Sequence, residues 1–119
     1  MNIDWNKVKE VVDKIDWDIE DGALVIYVGI VKGMKDGRIV REIEVVHDEY
    51  SIHSEINRKL KDDLENRKIA YKLTKGKLKP GDNITIIAVC SKDRYDATIK
   101  LLKILDIVKR NVRILEKYE

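Results

Sequence analysis

Two stretches, ALVIYVGIV (23–31) and ITIIAVC (84–90), are unbroken apolar runs rich in β-branched side chains. An amphipathic helix would interrupt such a run with polar residues, and a half-exposed strand would alternate. A short continuous run of this composition reads as a strand buried on both faces. Three segments read as helices. In DWNKVKEVVDKI (4–15), Trp5, Val8, Val11, Val12 and Ile15 recur at helical spacing, with Asp4 as a cap. DEYSIHSEINRKLKDDLENR (48–67) carries Ile52, Ile56, Leu60 and Leu64 on one stripe. SKDRYDATIKLLKILDIVKR (91–110) follows the second buried strand, with Asp93 as N-cap and Ile99, Leu102, Leu105 and Val108 as its apolar stripe.

The other segments complete an α+β pattern. IVREIEVV (39–46) alternates in part and reads as a strand in hairpin with the first, across the loop KGMKDGR (32–38). KIAYKLTKGKL (68–78) reads as a strand followed by a turn, and KPGDN (79–83) holds the one proline in a Pro-Gly turn. VRILEKYE (112–119) reads as a short final strand or tail. The order α-β-β-α-β-β-α-β favours an α+β domain. A length of 119 residues suits one domain, 1–119, able to bury a core without staples.

Several function classes are disfavoured at once. The one cysteine, Cys90, excludes an internal disulfide or a cysteine zinc cluster, and its place at the end of an apolar run makes it a buried, inert thiol. His47 and His53 have no metal-ligand spacing to another His or Cys, so neither metal nor cofactor is expected. Charged residues make up 39% of the chain, yet the net charge is only +2. That balance argues against a polyanion binder, and the Lys-rich stretch 72–81 is the sole nucleic-acid candidate. MNIDWNKVKE lacks the apolar core of a signal peptide, and no run approaches the ~18 residues of a spanning helix. A cytoplasmic protein without membrane contact is expected. Abundant Lys, Glu, Asp and Ile without Gln or Phe resembles the usage of heat-adapted proteins. GIVKGMKDG lacks phosphate-loop spacing, and Gly29 inside a strand reads as a bulge or a close contact.

Two cations on the last helix have competing readings. Arg94 in the first turn can clamp an anion beside free backbone N–H groups, or simply pair with Asp93 or Asp96. Lys109 near the other end can complement the helix dipole. The two stand about 22 Å apart along the axis at ~1.5 Å per residue, so one small pocket built by both needs a second subunit or an extended substrate. Lys100 and Lys103 read as solvated-face residues.

Taken together, the motifs resemble the catalytic (large) subunit of molybdopterin synthase. That family's first strand reads G-A-x-x-x-F-x-G-x-V-R, and here Gly22, Ala23, Tyr27, Gly29, Val31 and Lys32 stand in those places. A DGR loop follows. The family turn G-x-L-x-x-G-[DE] corresponds to Gly76, Leu78, Gly81 and Asp82. S-x-H-R corresponds to Ser91, Asp93 and Arg94, and the helix ending D-x-x-K to Asp106 and Lys109. The likeness runs from about Gly22 to the C-terminus.

The resemblance implies an α/β hammerhead-type α+β fold with antiparallel sheets, and a homodimer. It implies a ubiquitin-like sulfur-carrier small subunit as partner, giving a heterotetramer, whose Gly-Gly tail enters the site as a thiocarboxylate. The substrate would be cyclic pyranopterin monophosphate, which gains two sulfurs to become the dithiolene of molybdopterin, for a molybdenum or tungsten cofactor. Lys109 aligns with the family's essential lysine, with Lys117 as a second catalytic candidate. Lys32, Arg38 and Arg94 would bind the substrate phosphate. The chain departs from the pattern at Lys32 (arginine in the family), Asp93 (histidine), Leu73 and Thr74 (a His-Arg pair), and Glu116 (a second lysine, with Lys117 one place along). The alternative is a non-catalytic homodimeric paralogue that binds the carrier or a pterin.

Overall fold

A computed structural model describes residues 2–119. In chain order the elements are α1 (Trp5–Val12), β1 (Ala23–Ile30), β2 (Met34–Lys35), β3 (Arg38–His47), α2 (Glu49–Lys59), α3 (Lys61–Glu65), β4 (Ile69–Leu73), β5 (Gly76–Leu78), β6 (Asn83–Ser91), α4 (Arg94–Asn111) and β7 (Val112–Tyr118). This is the α+β class with antiparallel pairing expected from the sequence, with two very short strands and a helix break added.

The first sheet has the order β1-β6-β4. Its centre, β6, is buried at every residue from Thr85 to Ser91, because helices lie on both faces. Ile87 and Val89 pack with Ile52 and Ile56 of α2 and with Ile104 and Ile107 of α4. Ile86 and Ala88 pack with Val8 and Val11 of α1. That double cover is the physical reason for the unbroken apolar run. Each such isoleucine contributes about 1.5–3 kcal/mol by leaving water. Cys90 lies within this layer as a buried free thiol; burial and then the nearby Asp21 carboxylate push its pKa up.

The second sheet is built around β3, which pairs with β2, β5 and β7. Val31, Val40, Ile43 and Val45 form its apolar side. The hairpin expected between β1 and β3 is therefore not formed. β1 pairs instead with β6, from Ala23↔Ser91 to Ile30↔Asn83, with a bulge at Gly29/Ile30. A Cβ on Gly29 would stand 3.0 Å from the Ile84 side chain, so the glycine marks both a bulge and a close contact. β3 makes its hairpin with two-residue β2, across Asp36 (φ 52°) and Gly37 (φ 77°). Asp-Gly supplies the two positive φ angles of a tight hairpin turn, which turns the chain back before it can reach β1.

Four further expectations need correction. The helix over 48–67 breaks at Leu60 (φ −131°, ψ 41°). A four-residue repeat drifts about 40° per step on a 3.6-residue helix, so a straight rod would carry the stripe away from the core. The break keeps Leu60 buried and lets α3 restart. The buried row of α4 is Ala97, Leu101, Ile104, Ile107 and Val108, while Ile99 and Leu102 are 53% and 55% exposed. This helix has apolar residues on two overlapping rows, and only the sheet beneath selects between them. Trp5, placed on the buried stripe of α1, is exposed. Residues 76–78, expected in a turn, form β5 against β3. The Asp4 and Asp93 caps are present, accepting from the backbone N–H of Lys7 (3.2 Å) and Asp96 (2.8 Å). The turn at Pro80-Gly81 is present also, closed by Asp82 N–H to Lys79 O at 3.0 Å.

Candidate functional site

α4 passes into β7 without a loop, the helix ending at Asn111 and the strand starting at Val112. This junction turns the last exposed turn of the helix and the middle of β7 toward one hollow between the two sheets. A cavity of about 520 Å³ is lined there by Tyr27, Lys35, Leu105, Val108, Lys109 and Glu116. A second cavity of about 250 Å³ adjoins it and includes Val31, Lys32, Lys35, Val40 and Glu116. The two share Lys35, Ile84, Ile114 and Glu116. Their walls are apolar and three ammonium groups stand around them, a setting in which an anion is attracted and water screens it less.

Lys109 is exposed and, among the described residues, has no carboxylate within ion-pair distance. Its neighbour Arg110 differs, holding Glu55 at 2.7 Å. Lys32 lines the smaller cavity. Arg38 lies with its guanidinium carbon 3.9 Å from the centre of the Tyr118 ring. Lys117 faces the opposite side of β7 from Glu116, where Glu42 of β3 meets it at 3.5 Å. Arg94 is at the far end of α4, 4.9 Å from the Tyr95 ring and donating to its hydroxyl at 3.2 Å. One chain thus brings Lys109 and Lys32 to adjoining cavities, while Arg38, stacked on Tyr118, and Arg94 and Lys117 line neither.

The structure adds Lys35, which the sequence reading passed over. Its ammonium lies 2.7 Å from Glu116 Oε1. Tyr118 donates its hydroxyl to the other carboxylate oxygen at 2.5 Å. The Lys35 hydrogen bond, then that of Tyr118, holds the Glu116 carboxyl below its usual range, while Glu116 raises the pKa of Lys35. Both groups stay charged at neutral pH. An Asp-Gly turn is readable locally and places Lys35 opposite Arg38. Nothing local announces a partner 81 positions along the chain.

Lys100 also departs from expectation. It is no solvated-face residue but sits between Asp63 and Asp96, at 2.9 Å from each, with its side chain 22% exposed. Asp96 also accepts from the Ser91 hydroxyl. A third hollow, about 850 Å³, lies near α2 and β4. There the Tyr71 hydroxyl and His53 Nδ1 are hydrogen-bonded at 2.5 Å, and burial raises the phenol to about 12. Charges of both signs (Asp13, Lys14, Glu49, Arg67) line this groove without converging on one ligand chemistry. Among the described residues no group of three His, Cys, Asp or Glu could hold a metal ion. No helix among them is long and apolar enough to cross a membrane.

The fold defines an α+β class of two antiparallel sheets with a basic cleft where the last helix enters the last strand. Residues 2–111 match the family model described as MoaE protein, and the chain belongs to that family, the large subunit of molybdopterin synthase. Among solved structures it is similar to a molybdopterin synthase from Staphylococcus aureus (TM-score 0.72, 16% identity, covering 99% of this chain and 86% of that one). It is similar to a molybdopterin cofactor biosynthesis protein E from Burkholderia multivorans (TM-score 0.63, 19% identity, 100% and 82%). A third is the complex of subunits 1 and 2 of the molybdopterin-converting factor from Helicobacter pylori (TM-score 0.63, 18% identity, 98% and 78%). At these identities the likeness establishes the fold. No curated protein matches the chain.

Proposed function

We propose that this chain, acting as a single domain, is the sulfur-transferring subunit of a molybdopterin synthase. The observation that carries the reading is Lys109: an unpaired ammonium at the mouth of an apolar-walled cleft, on the helix position that the family motif reserves for its lysine. The carrier's C-terminal thiocarboxylate enters beside it. Lys109 orients the thiocarboxylate and stabilises the charge that develops as sulfur is transferred to the pyranopterin. Each transfer forms a C–S bond on the pyranopterin, where an oxygen substituent leaves, and breaks the acyl C–S bond of one thiocarboxylate. Water supplies the oxygen with which the carrier leaves as a carboxylate. Lys32 and Arg38 bind the substrate phosphate, and Lys117, the second lysine candidate, is met by Glu42 on the face of β7 away from the hollow.

Arg94 joins the phosphate site from a second copy of the chain, since it lies at the opposite end of α4 from Lys109. The homodimer is supported by an uncovered apolar row on that helix, Tyr95, Ile99 and Leu102, and by the unpaired outer edge of β1 beside exposed Leu24 and Ile26. The ubiquitin-like carrier then completes a heterotetramer; the complex of two subunits among the similar structures supports a small-subunit partner. The reaction is assigned to the cytoplasm. A second reading, a homodimeric paralogue that binds the carrier or a pterin without transfer, is favoured by the Glu116 carboxylate inside the cleft. The test mixes purified protein, thiocarboxylated carrier and pyranopterin precursor, and detects the dithiolene. Product from wild type supports the enzyme; tight carrier binding without product supports the paralogue.

A further inference from the structure

This inference rests on the cleft reading above and concerns a residue that reading does not use. Of these two adjoining cavities Lys32 lines the smaller and Lys109 the larger, and Lys35 is the one basic residue common to both. A ligand that reaches from Lys32 to Lys109 must therefore pass it. The position is built on both sides. Lys35 stands one residue before the Asp36-Gly37 turn, whose positive φ angles make a tight hairpin. Glu116 is held in β7 opposite Ile43 and is fixed by Tyr118 as well as by Lys35. Arg38 in turn rests on the Tyr118 ring. Lys35 is half exposed, whereas the Glu116 side chain is only 18% exposed, so the carboxylate is the anchor and the ammonium the exposed end of the pair.

An ammonium carries three N–H donors. Glu116 takes one, which leaves two for a ligand in either cavity. We propose that Lys35 is the phosphate-orienting residue at the neck of the Lys109 cleft, with Glu116 and Tyr118 as its positioning groups. Glu116 serves by fixing where the ammonium stands and not by touching the ligand. Its negative charge also makes the neck selective: a weakly charged anion gains little from a neutralised pair, while a phosphate can use both remaining donors at once.

The probe is inorganic phosphate, titrated into isotope-labelled protein while the backbone amide signals of Lys32, Lys35 and Lys109 are followed. Wild type should show a saturable shift at these amides. Lys35→Gln should weaken binding roughly tenfold or more, the loss of a charge-assisted contact. Lys35→Arg should stay within about threefold of wild type, since it keeps charge and donors. The exchange K35E/E116K returns an ammonium to the neck and should recover most of what Lys35→Glu alone loses. Lys103→Ala, on the outer part of α4, is the control. Wild-type amides that do not respond to phosphate, or equal affinity in Lys35→Gln, would overturn the proposal. In the sulfur-transfer assay, Lys35→Gln should raise KM for the phosphorylated precursor and leave kcat nearly unchanged. The two ideas fail separately. Phosphate binding lost in Lys35→Gln by a protein that makes no dithiolene upholds the neck and refutes the enzyme. An active protein indifferent to Lys35→Gln does the reverse.

Discussion

Lys100 and Lys109 stand on the same helix, and their surroundings differ in kind. Lys100 is enclosed by Asp63 of α3 and Asp96 of its own first turns, each at 2.9 Å, and joins α4 to α3. Lys109 has no carboxylate within ion-pair distance among the described residues and borders the cleft between the sheets. A lysine already neutralised by two fixed carboxylates has little left to offer a ligand. A lysine without a partner, above apolar walls, has its full field available to an incoming anion. The comparison teaches that helix position and residue type do not set a cation's role; the number of fixed counter-charges does.

The contrast can be broken by substitution. The largest effect is expected in Lys109→Ala: sulfur transfer should fall roughly 10²–10³-fold, as when a single stabilising donor is removed from a reaction site. Its stability should drop by no more than about 0.3–1 kcal/mol, the value of a cation at a helix C-terminus. Steady-state rates with a parallel thermal melt separate the two, and an equally active Lys109→Ala would end the assigned role. Lys109→Arg should melt like wild type and still transfer poorly, because the guanidinium is larger and cannot act as a compact point charge. Arg94→Ala should weaken binding of the phosphorylated precursor by about 1.5–3 kcal/mol, measurable by calorimetry, if a second copy presents it to the cleft.

Lys100→Met should reverse the pattern of Lys109→Ala. It leaves Asp63 and Asp96 without their shared cation, at a cost of about 1–3 kcal/mol in denaturant unfolding, with kcat preserved. The pH dependence sharpens this. The Ser91 hydroxyl, followed by Lys100, holds the Asp96 carboxyl below its ordinary value. Its stabilisation is therefore present above about pH 4 and lost as the pH falls through the lowered pKa. Burial opposes the charge on Lys100, but its bonds to Asp63 and Asp96 outweigh that and raise its pKa. Its contribution is present below about pH 10.5 and lost as the pH rises through the raised value. Melting temperature against pH should fall at both ends in wild type, and Lys100→Met should be flatter at both. Lys103→Ala, exposed on the same helix, should change neither rate nor melting beyond about 0.5 kcal/mol.

Local physical chemistry alone determined much of this protein. The Asp4 and Asp93 caps, strands within 23–31 and 84–90, the burial of the second of them, the Pro80-Gly81 turn and the buried Cys90 follow the local pattern. All were legible in the sequence, as were the family and Lys109 as a candidate. The first strand, expected to be buried on both faces, is instead an edge strand with Leu24 and Ile26 exposed. Pairings between distant residues were decided by the tertiary structure. β1 joins β6 some sixty residues later instead of the adjacent β3. The helix over 48–67 breaks at Leu60 because the core, not the four-residue repeat, sets where its apolar side chains must point. α4 buries the row through Ala97, Leu101 and Ile104 and leaves Ile99 and Leu102 outside, a choice made by the sheet it covers. Lys35 meets Glu116 only because a two-residue turn and the helix-to-strand junction bring β2 and β7 to one hollow. Caps, turns and apolar runs are written in short-range sterics and hydrogen bonds. Which lysine finds a carboxylate, and which is left open to a ligand, is written in contacts that exist only after the sheets and helices have packed.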